Sequence, residues 1–164
     1  MPESHASTEL RQRRGEPRDL DVITSFNRAM ALETEGRRLQ DERSLAGVRR
    51  LLAEPALGFY LVAERPGEVV GSLMVTYEWS DWRDGLFWWI QSVYVRPEAR
   101  RQGVFRALYA HVSSLALADP GVCGLRLYVE RENVRAQATY ESLGMHRTHY
   151  HVYEAERPGA SFFD

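Results

Sequence analysis

The stretch Gln91–Leu108, QSVYVRPEARRQGVFRAL, decides the fold of this chain. An apolar strand runs into a proline turn, four arginines follow around one glycine, and an amphipathic helix begins. The glycine lets the backbone approach a ligand, and the first N–H groups of the next helix point outward at the positive end of its dipole. This order is typical of a phosphate-binding turn, although an ordinary strand–turn–helix connection with solvated arginines has the same pattern.

The amino-acid composition and net charge limit the classes of protein to which this chain can belong. A chain of 164 residues buries a sizeable core, and 44% hydrophobic with 27% charged residues is ordinary for one soluble globular domain. The formal net charge of −2 argues against a general nucleic-acid binder. All 21 basic residues are arginine, so a lysine Schiff base is excluded as a mechanism.

The N-terminal residues and the single cysteine lead us to expect a cytoplasmic protein. Cys123 lies in an apolar run, where a buried thiol is expected, and it leaves no intrachain disulfide. No apolar stretch is long enough to span a membrane, and MPESHASTEL lacks a signal-peptide core. We predict a flexible N-terminus over 1–8, one domain over 9–154 and a C-terminal tail over 155–164.

Apolar periodicity predicts a mixed α/β order of elements. Strands are expected at Leu10–Arg14, Gly58–Glu64, Val69–Trp79, Leu86–Val95, Val122–Val129 and Met145–Tyr153. Helices are expected at Asp19–Leu32, from a cap at Asp41 to the residue before Pro55, at Gly103–Ala118 and at Asn133–Leu143, the last ended by Gly144. The helical crossover makes Leu86–Val95 and Val122–Val129 parallel neighbours, with a ligand at their carboxyl ends.

Two blocks of this sequence resemble the GNAT superfamily of acyl-coenzyme A-dependent N-acyltransferases. VYVRPEARRQGVFRAL is similar to the family's coenzyme A motif, with Arg100 and Gly103 in its first two positions. NVRAQATYESLGM is similar to the family's later helix, with Asn133, Ala136, Tyr140 and Gly144 in register. The resemblance implies an α/β (α+β) fold with a mixed, mostly antiparallel central sheet, a splayed parallel strand pair and about four flanking helices.

The resemblance also implies how acetyl-CoA is held. Backbone groups of Val93 and Val95 would pair with the pantetheine arm, and a Val93 or Tyr94 N–H would face the thioester oxygen. The pyrophosphate would rest on the turn and the first helical residues. These are Arg100, Arg101, Gln102, Gly103, Val104, Phe105 and Arg106, with Arg96 or Arg101 near the outer phosphate. Asn133 and Ala136 would lie beside the pantetheine, and Asn133 also suits the cap of its own helix.

Two positions depart from the family pattern. Phe105 stands where the family usually has Gly or Ala, so its ring must turn away from the phosphates. The middle region, TYEWSDWRDGLFWWIQSVYV, is similar to the diamine and thialysine acetyltransferase branch, yet Gln91 stands where that branch carries a glutamate implicated in amine deprotonation.

Acyl transfer to an amine needs an acid and a base. Tyr140 is the candidate acid, the alternative being a tyrosine that packs the last helix. Glu78 is a candidate base, and Gln91 would position a water. Glu33 and Glu35 are further candidate bases and candidates for binding a cationic acceptor, and a solvated helix face is the alternative.

Four tryptophans concentrate in one hairpin. Trp88 and Trp89 must point to opposite faces of their strand, one of them into the core. Trp79 is a candidate cation–π contact for the acceptor, and core packing is the alternative. His149 and His151 share a predicted strand face, but nothing completes a ligand set, so no metal is expected.

The sequence thus predicts an N-acetyltransferase that moves an acetyl group from acetyl-CoA to a polyamine-like or amino-acid-like primary amine. A non-catalytic acyl-CoA-binding module and a protein N-terminal or lysine acetyltransferase are the alternatives. The expected partner is a small-molecule amine, with neither nucleic acid nor membrane, and the aromatic edges suit a homodimer.

Overall fold

The computed structural model describes residues 9–161 and 163–164, so the predicted N-terminal segment 1–8 lies outside the described residues. The strands are β1 (Arg11–Arg14), β2 (Gly58–Arg65), β3 (Glu68–Ser80), β4 (Gly85–Val95) and β5 (Val122–Arg126). The helices are α1 (Leu20–Glu35), α2 (Asp41–Ala53), α3 (Val104–Ala118) and α4 (Val134–Ser142). Across these described ranges, no helix has the length and apolar content that a membrane span needs.

The strands form one sheet in the order β1-β2-β3-β4-β5. Every neighbouring pair is antiparallel except β4 and β5, which are parallel and joined by α3. The predicted mixed, mostly antiparallel sheet and the four predicted helices are therefore confirmed. The ladder between β4 and β5 ends at the pair Trp89 and Arg126, while β4 continues to Val95. The parallel pair thus opens part-way along β4.

Helices cover both faces of the sheet. Val104 of α3 packs against the position of Gly71, whose neighbour Ser72 pairs with Tyr94, and the Tyr94 ring lies 5.0 Å from the ring of Phe26 on α1. Because adjacent strand residues point to opposite faces, α3 and α1 lie on opposite sides. The helix α3 buries a stripe at four-residue spacing, formed by Val104, Leu108, Val112 and Ala116. On the other face, α1 and α2 pack on β2 in a cluster of Ile23, Val48, Leu51, Tyr60 and Val62.

A bulge interrupts β4 shortly before its end. Met74 pairs with Gln91 and Ser72 with Tyr94, so Leu73 alone lies opposite two residues, Ser92 and Val93. Ser92 has a φ of 49°, in the left-handed region that non-glycine residues seldom adopt. A bulge bends its strand and resets which side chains face which way. It places Tyr94 on the face that α1 covers.

Residues Leu127–Ser161 form a compact unit of their own, distinct from the unit that contains the sheet. Asn133 caps α4 by accepting a hydrogen bond from the Ala136 N–H at 3.1 Å, and Gly144 follows the helix with a φ of 88°. Both predicted ends of this helix are confirmed.

The prediction of a strand at Met145–Tyr153 is wrong, since no strand is formed there within the described residues. Tyr150, Val152 and Tyr153 are exposed, so the alternating pattern has no buried face to hold it in register. β5 also ends at Arg126, before the predicted Val129, and the cap of α2 is Gln40 rather than Asp41.

Candidate functional site

The turn between β4 and α3 has an unusual backbone. Arg101 has a φ of 62° and Gly103 a φ of 78°, both in the left-handed region. A Cβ at Gly103 would meet nothing within 4 Å, so the demand for glycine comes from its backbone conformation alone. Turns with such residues gather successive N–H groups into concavities that bind anions.

The N-terminus of α3 opens directly onto this turn. Its N-cap residue, Gly103, supplies no side-chain hydrogen bond, and its first turn contains no acidic side chain. The side chains of Arg101 and Arg106 are exposed around it. An uncapped helix N-terminus surrounded by arginine favours a bound anion.

Arg100 and Glu33 join the turn to α1. Arg100 donates its Nη2 hydrogens to both oxygens of Glu33, at 2.8 and 3.1 Å, and its Nε hydrogen to the Val95 carbonyl at 2.9 Å. Tyr94 also donates its hydroxyl to Glu33, at 3.2 Å. Burial and the negative charge of Glu33 raise the pKa of Tyr94. Glu33 is therefore half of an ion pair rather than only part of a solvated helix face.

Further hydrogen bonds brace the two ends of the turn. Arg96 donates its Nε hydrogen to the Val69 carbonyl at 2.9 Å. Gln102 donates to the Glu98 carbonyl at 2.8 Å and accepts from Arg65 at 2.6 Å. These contacts hold the backbone of the turn in place before any ligand arrives.

Phe105 follows Val104 in the first turn of α3. Its ring lies 6.1 Å from the ring of Tyr109, four residues further along the same helix face. The Phe105 side chain is half-buried, whereas the buried stripe of α3 is formed by its neighbours. The aromatic ring thus packs along the helix.

Among the described strands, none continues the ladder on the β5 side of β4 after the pair Trp89 and Arg126. Val93 and Val95 are half-buried and Tyr94 is buried, and all three follow the last β4–β5 pair. An extended molecule with amide groups can pair with such an edge as an added strand would.

Glu78 forms the polar centre of a second cluster. It accepts a hydrogen bond from the indole N–H of Trp89 and one from Arg126 Nη1 at 2.7 Å. The Arg126 guanidinium lies 3.6 Å from the centre of the Phe87 ring. Gln91 donates to the hydroxyl of Thr76 on the same face of the sheet. The sequence reasoning missed Arg126, although one charged residue inside the apolar run GLRLYV was a signal for it.

The structure does not bring every candidate residue to this cluster. Trp79 follows Glu78 in β3 and so points to the opposite face, where its side chain is 59% exposed. Glu35 is exposed at the end of α1. Trp88 is buried, as predicted for one member of the pair Trp88 and Trp89.

Tyr140, Asn133 and Ala136 lie together in and before α4, within the unit Leu127–Ser161. Burial raises the pKa of Tyr140 above its ordinary value. The phenol therefore keeps its proton through the neutral range. In the described part of the chain, no three His, Cys, Asp or Glu residues gather into a set that would hold a metal ion.

A groove of about 1,030 Å³ runs along β1 and the β2–β3 turn. Its lining includes Arg13, Asp19 and Arg96, and of these residues only Arg96 was predicted to lie near bound acetyl-CoA. The candidate site is therefore the open end of the sheet and the turn that follows, rather than this groove.

The family model described as acetyltransferase (GNAT) family matches residues 19–145. The chain belongs to the GNAT acetyltransferase family. This confirms the resemblance that the two sequence blocks predicted.

Relatives of this GNAT chain differ in how much they share with it. A thialysine N-epsilon-acetyltransferase of Bos taurus is 38% identical over an alignment of 92 residues, and the match covers 51% of this chain and 53% of the relative. The chain thus spans about half the length of that curated relative. A possible acetyltransferase from Clostridium difficile 630 is 45% identical, with a TM-score of 0.85 over 90% of this chain and 97% of that chain. The aminoglycoside N-acetyltransferase AAC(6')-Iy in complex with CoA has the same fold, at 18% identity and a TM-score of 0.71 over 91% of this chain and 95% of that chain.

Proposed function

We propose that this GNAT chain transfers an acetyl group from acetyl-CoA to the primary amine of a small molecule. One observation carries the proposal. β4 extends beyond the last residue that pairs with β5, and it leads into a turn with two residues in the left-handed region. The helix that follows this turn has Gly103 as its N-cap and no side-chain cap there. An open edge suits the amides of a pantetheine arm, and the turn suits a pyrophosphate. A relative of the same fold in complex with CoA supports this donor.

In this proposal the backbone does most of the donor binding. Val93 and Val95 pair with the pantetheine arm, and an N–H of Val93 or Tyr94 faces the thioester oxygen. The N–H groups from Arg101 to Arg106 receive the pyrophosphate. Arg100 contributes as a brace for the turn, since Glu33 already neutralises its charge. Asn133 and Ala136 remain candidates for the pantetheine contact.

The transfer step moves two protons and exchanges one bond. The neutral amine forms a C–N bond to the thioester carbonyl carbon and the C–S bond breaks. The nitrogen loses one proton and the departing sulfur gains one. Tyr140 is the proposed donor to sulfur, because a phenol is protonated at neutral pH and burial raises the pKa of Tyr140 further.

The role of Tyr140 is tested with Tyr140→Phe. We expect kcat to fall by about a hundredfold, with the Kd for coenzyme A unchanged. Tyr150→Phe, which alters an exposed tyrosine, is the control and should keep the wild-type rate. An unchanged kcat at saturating substrates would remove Tyr140 from the mechanism.

Glu78 and Gln91 are the proposed residues on the amine side. Glu78 accepts two hydrogen bonds and has lone pairs left for a water that relays the amine proton. Gln91 orients such a water without taking a proton. Glu33, Glu35 and Trp79 remain candidates for acceptor binding, with Glu33 the one placed beside the donor turn.

Titration with acetyl-CoA and with coenzyme A, followed by thiol release with a panel of amines, tests the proposed function. Gly103→Ala should weaken coenzyme binding, because alanine disfavours the left-handed turn. Gly67→Ala is the matched control: its φ is 79°, a Cβ there also meets nothing within 4 Å, and it lies in the β2–β3 turn. Binding without turnover would favour the acyl-CoA-binding module, and no binding at millimolar concentration would overturn the proposal.

A further inference from the structure

Glu78 and Arg126 meet where the parallel strands part. Arg126 is the last residue of β5 and pairs with Trp89, which is the last ladder pair before β4 runs on alone. The Glu78 Oε1 and Arg126 Nη1 atoms are 2.7 Å apart, and the two side chains are 42% and 29% exposed. The ion pair therefore closes the inner end of the opening and is still reached by solvent.

The surroundings hold both charged groups in fixed positions. Arg126 stacks 3.6 Å from the centre of the Phe87 ring, and the indole N–H of Trp89 donates to the second oxygen of Glu78. Gly124 makes the stacking possible, since a Cβ there would lie 2.7 Å from the Phe87 ring. A stacked guanidinium loses little freedom when it binds a second carboxylate. It has five N–H donors, and Glu78 takes one from Nη1.

The pair carries one positive and one negative charge at neighbouring points. A ligand with an ammonium beside a carboxylate matches both, because each of its charges meets an opposite one. A diamine would satisfy Glu78 but would bring a cation close to Arg126, and like charges repel. The arrangement therefore discriminates by charge pattern rather than by size.

We propose that Glu78 and Arg126 together select an acceptor with an ammonium group beside a carboxylate, the head group of an amino acid. The ammonium binds Glu78 and the carboxylate binds the guanidinium of Arg126. This inference rests on the proposed function and names the substrate class for it. Arg126 is then a specificity-determining residue of the reaction.

The test uses pairs of acceptors in which an uncharged amide replaces the carboxylate. L-Lysine and L-lysinamide form one pair, and L-alanine and L-alaninamide form a second. We expect kcat/KM of the wild type to favour the carboxylate member by about tenfold or more in at least one pair. In Arg126→Gln the preference should fall to about twofold or less, because kcat/KM decreases for the carboxylate acceptor and not for its amide. Differences in intrinsic amine reactivity cancel, because both proteins meet the same acceptors.

Two further variants separate recognition from folding. Arg83→Gln removes another arginine beside the Phe87 ring, one that bonds Ser80 rather than Glu78, and should keep the preference. Arg126→Lys keeps the charge and should restore much of the preference. A purely structural role would lower kcat/KM for both members of a pair equally.

An equal or reversed preference in the wild type would overturn the inference, as would a preference retained in Arg126→Gln. Turnover of other amines in the same assay would leave the acetyltransferase proposal standing. Bound acetyl-CoA without turnover of any acceptor would overturn the inference, whereas failure to bind acetyl-CoA would overturn the proposed function itself.

Discussion

Two arginine–carboxylate pairs in the sheet unit differ in how much water reaches them. Arg13 and Asp19 make a two-point contact, at 2.7 and 3.0 Å, and their side chains are 11% and 4% exposed. Glu78 and Arg126 share one contact of 2.7 Å and are 42% and 29% exposed. The first pair joins β1 to the start of α1, and the second stands at the open end of the sheet.

Burial decides what each pair can do. Asp19 also accepts the Glu16 N–H at 2.7 Å, and Arg13 also donates to Glu64 at 2.9 Å, so both groups are fully engaged by the protein. Removing one partner of such a pair leaves the other charge buried without a counter-charge. An exposed pair regains water when it opens, so it can exchange its partner for a ligand at little cost. We therefore expect the first pair to hold the fold and the second to serve recognition.

The largest expected effect is on the buried pair. Asp19→Asn should lower the free energy of unfolding by about 3–5 kcal/mol, because Arg13 loses its counter-charge in a buried position. Urea unfolding measures this change. Glu54→Gln at the exposed Arg50–Glu54 pair is the control and should change stability by less than about 1 kcal/mol. Equal losses of stability in the two variants would contradict the conclusion that burial makes the Arg13–Asp19 pair important for the fold.

The Asp19 carboxylate also predicts that the free energy of unfolding decreases at acid pH. Burial acts to raise the pKa of Asp19, but hydrogen bonds from Arg13 and the Glu16 N–H, with the charge of Arg13, hold it below its ordinary value. Its contribution is therefore complete above the unfolded pKa of about 3.9 and is lost as pH falls through the lower folded value. Urea midpoints between about pH 2 and 6 should fall more steeply for the wild type than for Asp19→Asn. Parallel curves would show that the pair does not couple to pH.

A third pair, Arg100 with Glu33, has an intermediate expected effect. Both side chains are 43% exposed, so Arg100→Gln should cost about 1 kcal/mol of stability or less. It should also weaken coenzyme A binding by about tenfold, since the turn loses its bonds to Val95 and Glu33. Calorimetric titration measures this. Arg101→Gln removes an exposed charge from the same turn and is the control for charge alone. An equal loss in both variants would assign the effect to charge rather than to bracing.

The smallest stability effect is expected at the pair in the opening. Arg126→Gln and Glu78→Gln should each change the free energy of unfolding by less than about 1 kcal/mol. A double-mutant cycle by urea unfolding isolates their coupling, which should be equally small. A coupling energy of about 3 kcal/mol would instead show that Glu78 and Arg126 stabilise the fold as the buried pair does.

Much of the fold followed from patterns between near neighbours. The amphipathic pattern after Gly103 predicted α3, and alternation predicted that Trp88 and Trp89 point apart. Asn133 and Gly144 marked the ends of α4. Each of these features depends on residues within one or two helical turns, which is why the chain reveals them. The exposed run at Met145–Tyr153 shows the weakness of the same reasoning, because alternation without a partner strand does not make a strand.

The candidate site was only partly predictable. Gly103 and the turn of arginines were found from their order, as were Glu78 and Glu33 as carboxylates worth testing. Their partners were not found, because Arg100 reaches Glu33 and Arg126 reaches Glu78 only through the register of the sheet and the packing of α1.

The amino-acid sequence by itself determined the order of elements as far as α4, the two ends of α4, the glycine in the turn after β4 and membership of the GNAT family. Tertiary structure alone decided which arginine neutralises which carboxylate, where β4 bulges at Ser92 and where β5 leaves it at Arg126. The reason is one of range. Caps, turns and amphipathic stripes are set by hydrogen bonds and burial between residues a few positions apart, whereas the charge pattern of an opening depends on side chains that only the folded sheet brings within 3 Å of one another.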